Sequence, residues 1–144
     1  MSEEIDYNFN RDQDVPPEKP VPAGFYEGVV ASVRFEVRPE DDKFASGKYA
    51  NKQCVEISYR LKSDDPDLNG KRIQEFPMPV RGHKDSWRWF DWCGRMGYDT
   101  TNFRFDPADV EGAAVTLKFD APREGKGKNE GKQYDNLVDV QRLA

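Results

Sequence analysis

Gly24-Phe25-Tyr26-Glu27-Gly28-Val29-Val30-Ala31-Ser32-Val33-Arg34-Phe35-Glu36-Val37 is the stretch on which the fold turns. Phe25, Val29, Ala31, Val33, Phe35 and Val37 alternate with Tyr26, Val30, Ser32, Arg34 and Glu36. A period of two belongs to a strand with one face in a core and the other in water. The alternation predicts a long half-buried strand. Gly28 falls where a curved strand needs a bulge or bend.

Downstream, a polar loop from Arg38 to Lys52 leads to a second alternating run. It sets Val55, Ile57, Tyr59 and Leu61 against Cys54, Glu56, Ser58 and Arg60. Asp64-Asp65-Pro66-Asp67-Leu68-Asn69-Gly70 is a strong turn signal, which also accounts for its acids. A third strand is predicted from Lys71 to about Met78, ended as an edge by Pro77 and Pro79.

The period then changes. Trp89, Trp92, Cys93 and Met96 recur at helical spacing behind a cap at Asp85 or Ser86, with Gly97 as the stop. That stripe reads as core packing, while Trp87 lies off it. Asp106-Pro107 predicts a capped helical turn closing at Gly112. A fourth strand puts Val115, Leu117 and Phe119 inward. A fifth runs from Gln133 to about Arg142, with Tyr134, Val138 and Val140 on one face. The expected fold is thus mostly β, with one helix between strands three and four. That is the order of a five-stranded OB-fold barrel, with a β-sandwich as the alternative.

Upstream, residues 1–23 form an acidic, proline-rich arm, leaving 24–144 as the domain. Glu3, Glu4, Asp6, Asp12, Asp14 and Glu18 face Arg11 and Lys19, so the arm carries −4 of the total −5. The body is nearly neutral and has room for a local basic groove. The 9 Phe, 6 Tyr and 3 Trp of the whole chain argue against disorder. No apolar run reaches membrane-spanning length, and two cysteines are too few for a disulfide scaffold. A small intracellular domain, away from membranes, is the expectation.

The sequence offers no phosphate-binding loop, no nucleophile elbow and no Cys-x-x-Cys pair, and His83 is the only histidine. No enzyme, metal or cofactor is expected. Binding of single-stranded nucleic acid needs bases for phosphates and flat rings for nucleobases. In an OB-fold both belong on strands two and three and in the loops joining strands one–two and four–five. The first loop holds Lys43, Phe44, Lys48, Tyr49 and Lys52, whose rings serve equally well as stacking platforms or as loop pins. The second holds Arg123, Lys126, Lys128 and Lys132 among three glycines. Arg34, Arg60, Arg72 and Phe76 extend the candidate surface across the sheet.

Short motifs in fixed order add a resemblance. Ile5-Asp6-Tyr7-Asn8-Phe9-Asn10 and Val21-Pro22-Ala23-Gly24-Phe25-Tyr26 lead the set. Gly47-Lys48 with Lys52, Leu68-Asn69-Gly70-Lys71, Val110-Glu111-Gly112 and Tyr134, Asn136, Val138 follow. Across about residues 5–142 this resembles a family of bacteriophage single-stranded DNA-binding proteins. The resemblance implies a partner in single-stranded DNA, a role in phage replication or recombination, and a place in the host cytoplasm. The acidic arm would then recruit a recombinase or replication protein, or cover the chain's own groove as a DNA mimic. A protein-interaction module, such as a phage adaptor or an inhibitor of a host nucleic-acid enzyme, is the alternative. Monomer and homodimer are both open.

Overall fold

The computed structural model describes residues 7–10, 19–37, 53–77, 84–127 and 130–143. Five strands form one antiparallel sheet: β1 (Gly24–Val37), β2 (Gln53–Lys62), β3 (Arg72–Glu75), β4 (Ala114–Phe119) and β7 (Leu137–Arg142). Their spatial order is β3-β2-β1-β4-β7. β5 (Arg123–Glu124) and β6 (Gln133–Tyr134) pair separately as a short hairpin. One helix, α1 (Trp87–Arg95), lies between β3 and β4.

β1 is long enough to serve two partners. Its N-terminal half pairs with β4 from Gly24↔Phe119 to Val29↔Ala114, and from Glu27↔Lys62 to Val37↔Gln53 it pairs with β2. The register to β2 slips between Val30 and Ser32, so Ala31 is the extra residue of a bulge. The slip changes which parity faces the core. Before it Tyr26, Gly28 and Val30 point inward; after it Val33 and Phe35 do, while Phe25 is 72% exposed. Strict alternation along β1 is therefore corrected, and the bulge sits at Ala31 instead of Gly28. Gly28 has a different duty: a Cβ there would lie 2.9 Å from the Arg60 carbonyl oxygen and 2.9 Å from Leu117 Cδ1.

The inward faces of β2 and β4 match their alternation. Val55, Ile57, Tyr59 and Leu61 are buried, as are Val115, Leu117 and Phe119. α1 lays Trp89, Trp92 and Cys93 over this core, joined by Met96 at its end. Tyr98 N–H reaches back to the Cys93 carbonyl at 3.0 Å, and Gly97 takes a φ of 103° that only glycine adopts easily. Asp106 caps its turn by accepting from Ala108 N–H at 3.0 Å. Arg142, the last residue of β7, donates to the carbonyls of Met96 (2.8 Å) and Asp109 (3.3 Å), placing a cation at the helix C-terminus.

The last strand departs from its prediction. Asp135 and Asn136 separate β6 from β7, and Phe119↔Leu137 is followed by Lys118↔Asp139. Val138 is skipped in the ladder and lies exposed while Val140 is buried, so the two do not share a face with Tyr134. The third strand is also shorter, ending at Glu75.

No closed barrel forms among the described residues: β3 and β7 run in the same direction but share no backbone ladder. Side chains bridge the seam. Lys71, just before β3, pairs with Asp135, just before β7, at 3.0 Å. Arg95 of α1 pairs with Asp139 of β7 at 2.6 Å. At the same end Tyr59 donates to Glu75 and accepts from Trp92 Nε1 at 2.7 Å. The Lys71 ammonium also reaches the Lys19 carbonyl (2.6 Å), and Val21 N–H donates to Asp135 (2.8 Å). The last arm residues are thereby built in, with Val21 fully buried. Tyr7 and Phe9, farther out, are exposed.

Candidate nucleic-acid interface

The face of β1, β2 and β3 turned away from α1 carries a row of bases. Register places Arg34 opposite Glu56, Ser58 between Ser32 and Gln74, Arg60 between Val29 and Arg72, and Lys62 opposite Glu27. Phe76 follows Gln74 by two residues and is 52% exposed.

Arg72 is the fixed member. Its guanidinium donates to Glu56 at 2.7 Å and to Ser58 Oγ through Nε (3.3 Å) and the terminal nitrogen (3.2 Å). Glu56 also accepts from Gln74 at 2.6 Å. Arg72 thus lies along the sheet with its charge partly answered. Arg60 donates to the Gly70 carbonyl at 3.3 Å. Arg34, Arg60 and Lys62 are exposed and make no ion pair among the described residues. Three free cations beside a planted guanidinium can hold phosphates, and Phe76 offers a ring to a base.

The β5–β6 hairpin holds the second group. Arg123, Lys126 and Lys132 are exposed, and Arg123 lies opposite Tyr134, which is also exposed. The hairpin opens where Asp120 N–H bonds the Asn136 carbonyl at 3.0 Å and Asn136 Nδ2 bonds the Ala121 carbonyl at 3.2 Å. Its root at Asp135 is tied to Lys71, the residue before Arg72. The hairpin therefore springs from the starting end of β3. Lys43, Phe44, Lys48, Tyr49 and Lys52 of the first loop, and Lys128 of the second, lie outside the described residues.

Sequence reasoning missed three residues on this face: Phe25, Lys62 and Lys118. Phe25 and Lys118 are partners in the β1–β4 ladder, and the Lys118 ammonium lies 5.8 Å from the centre of the Phe25 ring. No pattern in the sequence set Phe25 outward: its parity ahead of the Ala31 bulge is seen in the register, where Gly28 packs inward against Leu117. Trp87 is 61% exposed with Arg88 over its ring at 5.7 Å, off the buried stripe of α1.

The buried titratable groups sit under this surface and at the helix. Burial pushes the Glu75 carboxyl above its usual range, against the Tyr59 hydrogen bond and the charges of Arg95 and Arg88. Burial, then the adjacent Glu75, pushes the Tyr59 phenol well above its own. Burial lifts the Cys93 thiol to about 12. Among the described residues no three His, Cys, Asp or Glu side chains converge as a metal site. No helix among them is long and apolar enough to cross a membrane.

No protein-family model matches the chain, and no curated protein matches it.

Proposed function

We propose that this chain is a sequence-tolerant single-stranded DNA-binding protein on an OB-fold, serving phage DNA replication or recombination, with no catalysis and no cofactor. The observation that carries the reading is the outer face of β1–β2–β3. It sets Arg34, Arg60, Lys62 and the planted Arg72 along one face, with the exposed ring of Phe76 just past the end of β3. Cations take the phosphates and the ring takes a base, which tolerates sequence because every base has a π-face. The basic hairpin rooted at Lys71 adds Arg123, Lys126 and Lys132 as a flank. The OB-fold reading is supported by the order β3-β2-β1-β4-β7 and by outer strands that run in the same direction. The resemblance of its short motifs to those of phage single-strand binders is what suggests the biological role. The exposed Tyr7 and Phe9 suit the acidic arm to a protein partner in that machinery.

The test is a fluorescence titration of labelled oligo-dT of about 30 nucleotides at two salt concentrations. Binding should weaken with salt at a log–log slope near −0.7 per neutralised phosphate. Arg60→Ala and Phe76→Ala should each weaken it. Absence of binding at low salt would overturn the proposal. It would favour a protein-interaction module, for which exposed Trp87 and Phe90 on α1 supply an apolar contact.

A further inference from the structure

Where β1 enters the sheet and β2 leaves it, an open hollow of about 560 Å³ is lined by Phe25, Glu27, Lys62, Ser63, Asp64 and Asn69. Its volume lies within the range of small-molecule sites, about 300–1,000 Å³. Lys62 stands two residues beyond Arg60 on the same face of β2, so the hollow continues the row of bases.

The lining is divided by chemistry. Phe25 supplies a flat apolar ring that is largely open to solvent. The Lys118 ammonium lies 5.8 Å from the centre of that ring, and Lys62 projects from the neighbouring strand. Asp64 and Glu27 supply carboxylates, which only accept hydrogen bonds. Asn69 spends its side-chain oxygen on Ser63 N–H at 3.2 Å, which leaves its amide NH2 to donate. A bare phosphate suits the lysines but is repelled by the two acids. A simple cation suits the acids and leaves the ring and lysines without a role. A ligand that answers every part is flat, anionic at one end and rich in N–H donors at the other.

We propose that the hollow binds one nucleotide whose base carries an exocyclic amino group. The base stacks on Phe25, its amino edge meets Asp64 and Glu27, and its phosphate lies toward Lys62 and Lys118. Cytosine, adenine and guanine have that amino group, and thymine lacks it. This rests on the nucleic-acid reading above and adds to it a station with a base preference, within a surface otherwise indifferent to sequence.

The test uses the full chain with dCMP and dTMP as probes, followed by backbone amide shifts, alongside oligo-dC and oligo-dT. dCMP should move the amides of Lys62, Ser63, Asp64 and Asn69, and dTMP should move them less. Phe25→Ala changes an exposed side chain; it should abolish those shifts and weaken oligo-dC binding about 5- to 150-fold. Asp64→Ala should erase the preference for dCMP while leaving stacking. Unmoved amides at millimolar dCMP, with oligo-dC affinity unchanged in Phe25→Ala, would overturn the hollow. If oligonucleotides bind and Phe25→Ala changes nothing, the hollow falls and the strand-binding reading stands. If dCMP binds there and oligonucleotides do not, the hollow stands and the strand-binding reading falls.

Discussion

β1 is fixed by backbone hydrogen bonds along both edges, to β2 on one side and β4 on the other. Among the described residues β3 and β7 share no ladder, and the seam between them is tied by flanking side chains: Lys71, before β3, on Asp135, before β7, and Arg95 of α1 on Asp139 of β7. A ladder repeats its backbone bonds at every second residue pair and hardly depends on which side chains are present. A seam of a few ion pairs depends on each partner and fails one residue at a time. The ladder should therefore set global stability, and the seam should set how firmly residues 19–22, the hairpin root and β7 are held. The candidate surface spans both, because Arg60 belongs to the ladder and Arg72 follows the seam lysine.

Leu117→Ala empties a fully buried position between β1 and β7 and should cost about 2–5 kcal/mol in urea unfolding. Fluorescence and far-ultraviolet dichroism should shift together; separate transitions would mean that the ladders are not one cooperative unit. Asp135→Ala removes the partner of Lys71, whose side chain is only 9% exposed, and should cost about 1.5–3 kcal/mol. Hydrogen exchange should then quicken at Val21 and near Asn136, while the β1–β2 amides keep their relative protection. Equal loosening of both would erase the distinction between seam and ladder.

Gly28→Ala forces a methyl group against the Arg60 carbonyl and Leu117, and overpacking of this kind costs about 1–3 kcal/mol. A neutral result would show that β1 and β2 part easily at that point. The smallest expected effect is a pH dependence. The Glu75 carboxyl is held above its ordinary value of 4.5, so the folded chain keeps a proton that the unfolded chain releases. Stability from this group is full below that value and falls as pH rises from it through the raised folded pKa. Relative to Glu75→Gln, the wild-type chain should lose stability across that window; a flat difference in urea midpoints would sink the assignment.

Where one parity was apolar and the other polar, alternation read the sheet correctly, as at Val55–Leu61 and Val115–Phe119. Helical spacing placed Trp89, Trp92, Cys93 and Met96 together, and Asp106-Pro107 announced its turn by cap chemistry. β1 resisted because Val29, Val30 and Ala31 are all apolar, so a bulge among them leaves no trace in the pattern, yet it reverses every side chain beyond it. Phe25 was grouped with Val33 and Phe35 for that reason, and the structure puts it on the opposite face. The seam resisted for another: Lys71 with Asp135 is an ion pair across 64 residues, and no local period encodes it. The surface bases were legible as residue types, but their grouping depends on register. Arg60 beside Arg72 follows from how β2 and β3 pair.

Both cysteines are buried, and the Cys93 thiol, lifted to about 12, carries almost no thiolate at neutral pH. The native chain should therefore be nearly silent toward maleimide dyes while it stays folded. A single cysteine introduced on the exposed hairpin or beside Phe76 would take one label without removal of either native thiol. The fold thus comes with its own blank background for distance and quenching measurements, and any labelling of the unaltered protein would report that it had opened.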